Sequence, residues 1–206
     1  MNCIKVVLSR LFVILILFSF LVSCKKATLS HVDYINWVEN EDNGLNVGKE
    51  FKDINFQILY KPVSYIVAKE LVNGGIKNNE VATRIKELGD MQYATLRIKV
   101  ANSNEVMGAN IKSQNEYYER LEYFMNNIQN DLVLIEDKDT LPCLLAHFER
   151  SYGLSPYNNF VLAFGKSINK KADKLIVFDD NIFGTGRVIL KIENKDIEDE
   201  PAVNWN

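Results

Sequence analysis

Between Leu132 and Ile192 the chain breaks into five short apolar runs, and this segmentation constrains the fold more than any other feature. The runs are Leu132–Ile135, Cys143–Phe148, Phe160–Phe164, Leu175–Phe178 and Val188–Ile192. Turn formers bound them: Asp137-Lys138-Asp139, Pro156, Gly165 and Gly184-Thr185-Gly186. No helical pattern separates the runs, so they favour antiparallel strand pairing, with a sandwich-like sheet as one arrangement. The nearly continuous apolar character of Phe160–Phe164 places that strand centrally.

The first half mixes periods. Ile54, Phe56, Ile58 and Tyr60 alternate with Asn55, Gln57 and Leu59, and Ala94, Leu96, Ile98 and Val100 alternate with Tyr93, Thr95, Arg97 and Lys99. Both stretches predict half-buried strands, the second over Met91–Val100. A helical turn is expected over Val32–Glu39, followed by the turn cluster Glu39–Gly44. A helix is expected over Val63–Val72, opened by Pro62 and stopped by Gly74-Gly75. Another runs from about Asn79 to Leu88, with Val81, Ile85 and Leu88 on one side and Gly89 as its cap. Residues 101–112 form a polar connection. Ser113 then caps a helix to about Gln129, with Glu116 as its capping-box partner and Tyr117, Leu121, Phe124 and Ile128 on one face. The expected class is α+β, a largely antiparallel sheet with three or four helices mostly in the first half.

At the amino end, Lys5 and Arg10 precede the apolar run Leu11–Phe20, the layout of an export signal. A spanning helix needs ~20 apolar residues, and Leu11–Ser23 ends short of that before Lys25 and Lys26. Leu21-Val22-Ser23-Cys24 resembles the lipobox of bacterial lipoproteins. The resemblance implies cleavage before Cys24, diacylglycerol on its thiol and an acyl chain on the new amino group. The alternative is a buried structural cysteine behind an ordinary signal. The expected organisation is a leader over 1–23, a tether over 24–31, one domain over 32–195 and a frayed acidic tail over 196–206. The implied address is the cell envelope, at the periplasmic face of the outer membrane, because Lys25 and Lys26 replace the acidic cluster that resembles a surface-export tag. With Tyr34-Ile35-Asn36-Trp37 and its strand-rich end, the chain is similar to small lipoproteins of unknown function abundant in Bacteroidota. That likeness implies no functional residue.

Without residues 1–23 the chain has 183 residues, 22 basic against 27 acidic, and a formal charge of −5. That is one domain's length. The acidic balance, with no dense basic block, argues against a nucleic-acid partner. Cys3 leaves with the leader and lipid consumes Cys24, so Cys143 stands alone and no intrachain disulfide forms. His31 and His147 with one thiol make no zinc site at a recognised spacing, and no cofactor motif is present.

Candidate chemistry is thin. Cys143, His147 and Glu149 share one face if Cys143–Phe148 is a regular strand, which invites a Cys-His pair. Residues i and i+4 on a strand lie ~13 Å apart, beyond hydrogen-bond reach. Asp179-Asp180-Asn181, followed by Phe183-Gly184-Thr185-Gly186, could offer calcium three side-chain ligands, fewer than the ion wants. The plainer reading is a hairpin turn. Lys166, Lys170, Lys171 and Lys174 could meet anionic head groups or glycan phosphates, or simply blunt a sheet edge as a solvated loop. Tyr117, Tyr118, Tyr123 and Phe124 suggest a sugar-stacking platform or, at helical spacing, core and rim. Asp139-Thr140-Leu141 resembles an O-glycosylation acceptor of some Bacteroidota, with Thr140 as the modified residue. The expected function is a non-enzymatic binding or assembly module, anchored through Cys24, that meets an envelope protein or glycan. A periplasmic hydrolase with a site built from distant loops (Asp179, Glu149 or His147) and a carrier of an apolar ligand are the alternatives.

Overall fold

The structure, a computed structural model, describes residues 26–101, 103, 106–150 and 155–205. Cys24 and the leader 1–23 lie outside the described residues. In chain order the elements are β1 (Thr28–Leu29), α1 (His31–Glu39), β2 (Asn46–Phe51), β3 (Ile54–Lys61), α2 (Val63–Val72), α3 (Val81–Leu88) and β4 (Met91–Val100). There follow α4 (Gln114–Glu122), β5 (Leu132–Glu136), β6 (Asp139–Glu149), β7 (Tyr157–Gly165), β8 (Lys174–Asp180), β9 (Gly186–Ile192), α5 (Asn194–Glu198) and β10 (Ala202–Val203). Among the described residues no helix is long and apolar enough to cross a membrane.

The fold is α+β. Eight strands form one antiparallel sheet in the order β2-β3-β4-β7-β6-β5-β8-β9. The sheet curls until β2 and β9 come alongside each other, giving a nearly closed barrel. β6 makes the corner. Val133 and Glu136 of β5 face Pro142 and Asp139 at its start, whereas Cys143–Glu149 pair with β7, and a bulge at Leu144 interrupts this second ladder just after its first pair, Cys143 with Phe164. Such a bulge bends a strand and lets it change sheets. β7 lies between β4 and β6, in the interior position its apolar run implies.

Inward-facing residues fill the barrel: Phe56, Phe160, Phe164 and Phe178 are fully buried, with Ile58, Leu96, Leu134 and Ile176 between them. One end is covered by α4 and the turns after it. The helix expected to reach Gln129 ends at Glu122, widens into a π turn over Tyr123–Asn127 and tightens over Ile128–Asp131. This swings Phe124 onto Phe148 and Phe160, at 5.5 and 5.0 Å between ring centroids. Arg120 fixes the preceding loop by donating from Nη1 to the carbonyls of Val106, Met107 and Ala109.

Helix boundaries follow local chemistry. Ser30 caps α1 by accepting from the Asp33 N–H, and Ser113 caps α4 by accepting from that of Glu116. Glu116 reaches back to the N–H of Lys112, one residue before the expected partner. At the end of α2, Gly74 takes φ +72° while Gly75 donates to Glu70 O, which stops the helix.

The tether and the frayed tail are corrected. Thr28–Leu29 pairs in parallel with Ala202–Val203. The hydroxyls of Tyr34 and Ser64 both donate to the Glu200 carboxylate, and Trp205 lies against His31 at 5.6 Å. Two hydroxyl donors and an aromatic neighbour give the acidic end enough partners to order it.

Candidate functional site

A concavity of about 650 Å³ crosses the outer face of β2, β3, β4 and β7. Strand register builds it. Glu50 faces Asn55, Asn55 faces Lys99 and Lys99 faces Tyr157, one row across four strands. Along the next row Gly48 stands opposite Gln57 and leaves the floor low, since a Cβ there would meet only Phe56 O, at 3.7 Å. Gln57 donates from Nε2 to Glu41 Oε1 at 2.7 Å, and Lys99 Nζ sits 5.4 Å from the Tyr157 ring centre. The groove thus offers donors, acceptors, both charge signs and an aromatic ring. It suits a polar, hydroxyl-rich ligand better than an apolar one. Sequence reasoning missed it because β2 carries Gly48-Lys49-Glu50, which breaks the alternation that marks a strand.

A smaller polar network flanks it. Glu39 accepts from Tyr65 Oη at 2.5 Å and from Lys69 Nζ at 2.8 Å. Burial alone would push the Glu39 carboxyl up, but these two donors bring it below the usual carboxylate range.

The residues singled out for catalysis stay apart. The bulge at Leu144 inverts the alternation, so Cys143 points into the core while His147 and Glu149 are exposed on the other face. The shared face expected for these three does not exist. Burial pushes the Cys143 thiol up to about 11, and Sγ donates to Leu145 O, so it is not a nucleophile near neutral pH. Asp179 makes a bidentate pair with Arg187 on the β8–β9 hairpin. Asp180 is buried, and its two oxygens accept from the N–H groups of Ile182, Phe183 and Thr185 and the Thr185 hydroxyl. Its lone pairs are spent on the turn. Among the described residues no three His, Cys, Asp or Glu side chains gather as metal ligands.

The lysine cluster is also redistributed. Lys174 is no solvated loop residue: it is 3 % exposed and bonds Glu136, 0 % exposed, at 2.7 Å. Lys166 pairs with Asp90 at 2.6 Å on the surface. Of the four aromatics on α4 and its extension, Phe124 is core, Tyr123 donates to Asp131, and Tyr118 is exposed. Thr140 is exposed at the start of β6, just past the turn.

No protein-family model matches the chain, and no curated protein matches it. Among solved structures, a protein of unknown function from Burkholderia pseudomallei is similar at 14 % identity and a TM-score of 0.37, over 82 % of this chain and 92 % of that one.

Proposed function

We propose that the chain is an envelope lipoprotein, held to a membrane by acyl chains on Cys24, whose domain binds an envelope glycan in the groove between β2 and β7. The lipobox-like Leu21-Val22-Ser23-Cys24 supports the anchor. More than one acyl chain makes such an anchor stable, since each buried methylene contributes ~0.8 kcal/mol. One observation carries the binding reading: the row Glu50, Asn55, Lys99, Tyr157 over a glycine floor, polar throughout yet with an aromatic ring at its edge.

Full-length protein in nanodiscs, titrated with soluble cell-wall glycan fragments, is expected to bind, and Tyr157→Ala to weaken binding about tenfold, the effect of losing an interface aromatic worth ~1.4 kcal/mol. Equal binding by both proteins, or none, overturns the groove as the site. Turnover of the fragments replaces the binding reading with the hydrolase. The exposed Thr140 is proposed as an O-glycan acceptor. A sugar-sized mass increment on protein from the native host, lost in Thr140→Ala, is the expected result, and an unmodified Thr140 overturns it.

A further inference from the structure

We propose that the end of the domain built from β1 and β10 rests directly on the lipid head groups around Cys24, rather than floating on a leash. The proposal rests on the acylation of Cys24 argued above. Lys25, Lys26 and Ala27 are all that separate that cysteine from Thr28, where β1 begins. Four residue steps reach at most ~14 Å. The start of β1 is immobilised, because Ala202 N donates to Ala27 O at 2.9 Å and Asn204 N to Leu29 O at 2.9 Å. A domain pinned that close to acyl chains must turn this end to the bilayer.

The chemistry of this end fits a head-group layer. Lys26 and Trp205 line one open groove of about 380 Å³ together with Ile85 and Val203. Tryptophan settles at membrane interfaces, where its ring is apolar and its N–H finds water. Lys26 and the exposed Lys77, next to the Asn78 that donates to Trp205 O, bring positive charge to the same place. Each basic residue near an anionic surface contributes ~1 kcal/mol. The Glu200 carboxylate in this groove is held inward by Tyr34 and Ser64.

The seating also aims the glycan groove. Asn55 in the groove and Lys61, next to α2, are six residues apart on β3, about 20 Å of strand. α1 runs the same way, from its cap at Ser30 beside β1 to Glu39 near the groove. The groove is therefore held away from the membrane, towards ligands in the adjoining space.

The test uses full-length acylated protein in nanodiscs with brominated lipid, and Trp37→Phe to leave Trp205 as the only tryptophan. Trp205 fluorescence is expected to be quenched, and ten Gly/Ser residues inserted after Lys26 to abolish the quenching. If Trp37→Phe does not fold, a fluorophore on Lys77→Cys in the wild-type background gives the same reading. The buried Cys143 thiol stays unlabelled. Unquenched Trp205 on protein whose mass shows the acyl chains overturns the seating and leaves the anchor intact. Protein without acyl mass overturns the anchor itself.

Discussion

Replacing Lys174 with methionine is expected to cost about 3–5 kcal/mol at neutral pH, a large share of the ~5–15 kcal/mol that stabilises an ordinary domain. The loss comes from what remains. Glu136 is fully buried, with Oε1 accepting from Lys174 and Oε2 from the N–H groups of Ile168 and Asn169, at 2.8 and 2.9 Å. The Lys174 ammonium in turn spends its other two protons on Ser167 Oγ and Asn169 O. Burial would raise the Glu136 carboxyl, but Lys174, the two backbone donors and Ser167 outweigh it and hold it below the usual range. A lowered folded-state value means that this contribution is complete above the ordinary glutamate value of about 4.3 and is lost as the pH falls through the folded value. Without Lys174 the sign reverses. The isolated carboxylate is penalised at neutral pH, and the penalty shrinks on acidification because the protonated acid buries no charge. Lys174→Met with Glu136→Gln removes both charges yet keeps an acceptor for Ile168 and Asn169, and it is expected to recover most of the loss. Urea melts from pH 4 to 8 on the three proteins check the pattern. A Lys174→Met penalty under ~1 kcal/mol at neutral pH contradicts it.

Phe124→Ala is expected to cost a further large amount, about 3–5 kcal/mol, and to lower Tm by roughly 10 °C for a domain this size. The ring is fully buried and touches those of Phe148, Phe160 and Phe183. It is also the main plug at one end of the barrel, so its removal leaves a cavity that the β strands cannot close by moving. Phe124→Leu keeps most of the volume and is expected to cost under ~1.5 kcal/mol. Calorimetry of both variants separates plugging from mere apolarity: equal losses would show that the site collapses freely.

How much of this was readable from sequence depended on whether a feature is local. The expected bounds Val63–Val72 and Met91–Val100 agree with α2 and β4 to the residue, because a proline, two glycines and strict alternation act within a few positions. The bulge in β6 was not readable. Leu144 and Leu145 look like any apolar pair, yet both face outward at 55 and 50 % exposure, and the parity of everything before them changes. Lys174 and Glu136 lie 38 positions apart, so only the barrel reveals that one neutralises the other. The tail deceived through composition: its acidity reads as solvated, whereas Glu200 and Trp205 had partners near the other end of the chain. The groove was invisible for a related reason. Its row of side chains takes one residue from each of four strands, an arrangement that register alone creates.

The membrane anchor is the claim on which address, seating and groove orientation all depend, and the intact mass of the mature protein from its native host tests it most directly. The expected product is a chain that starts at Cys24 and carries a thioether-linked diacylglycerol and an amide-linked acyl chain. A free amino terminus at any position, or a chain still carrying residues 1–23, would contradict it.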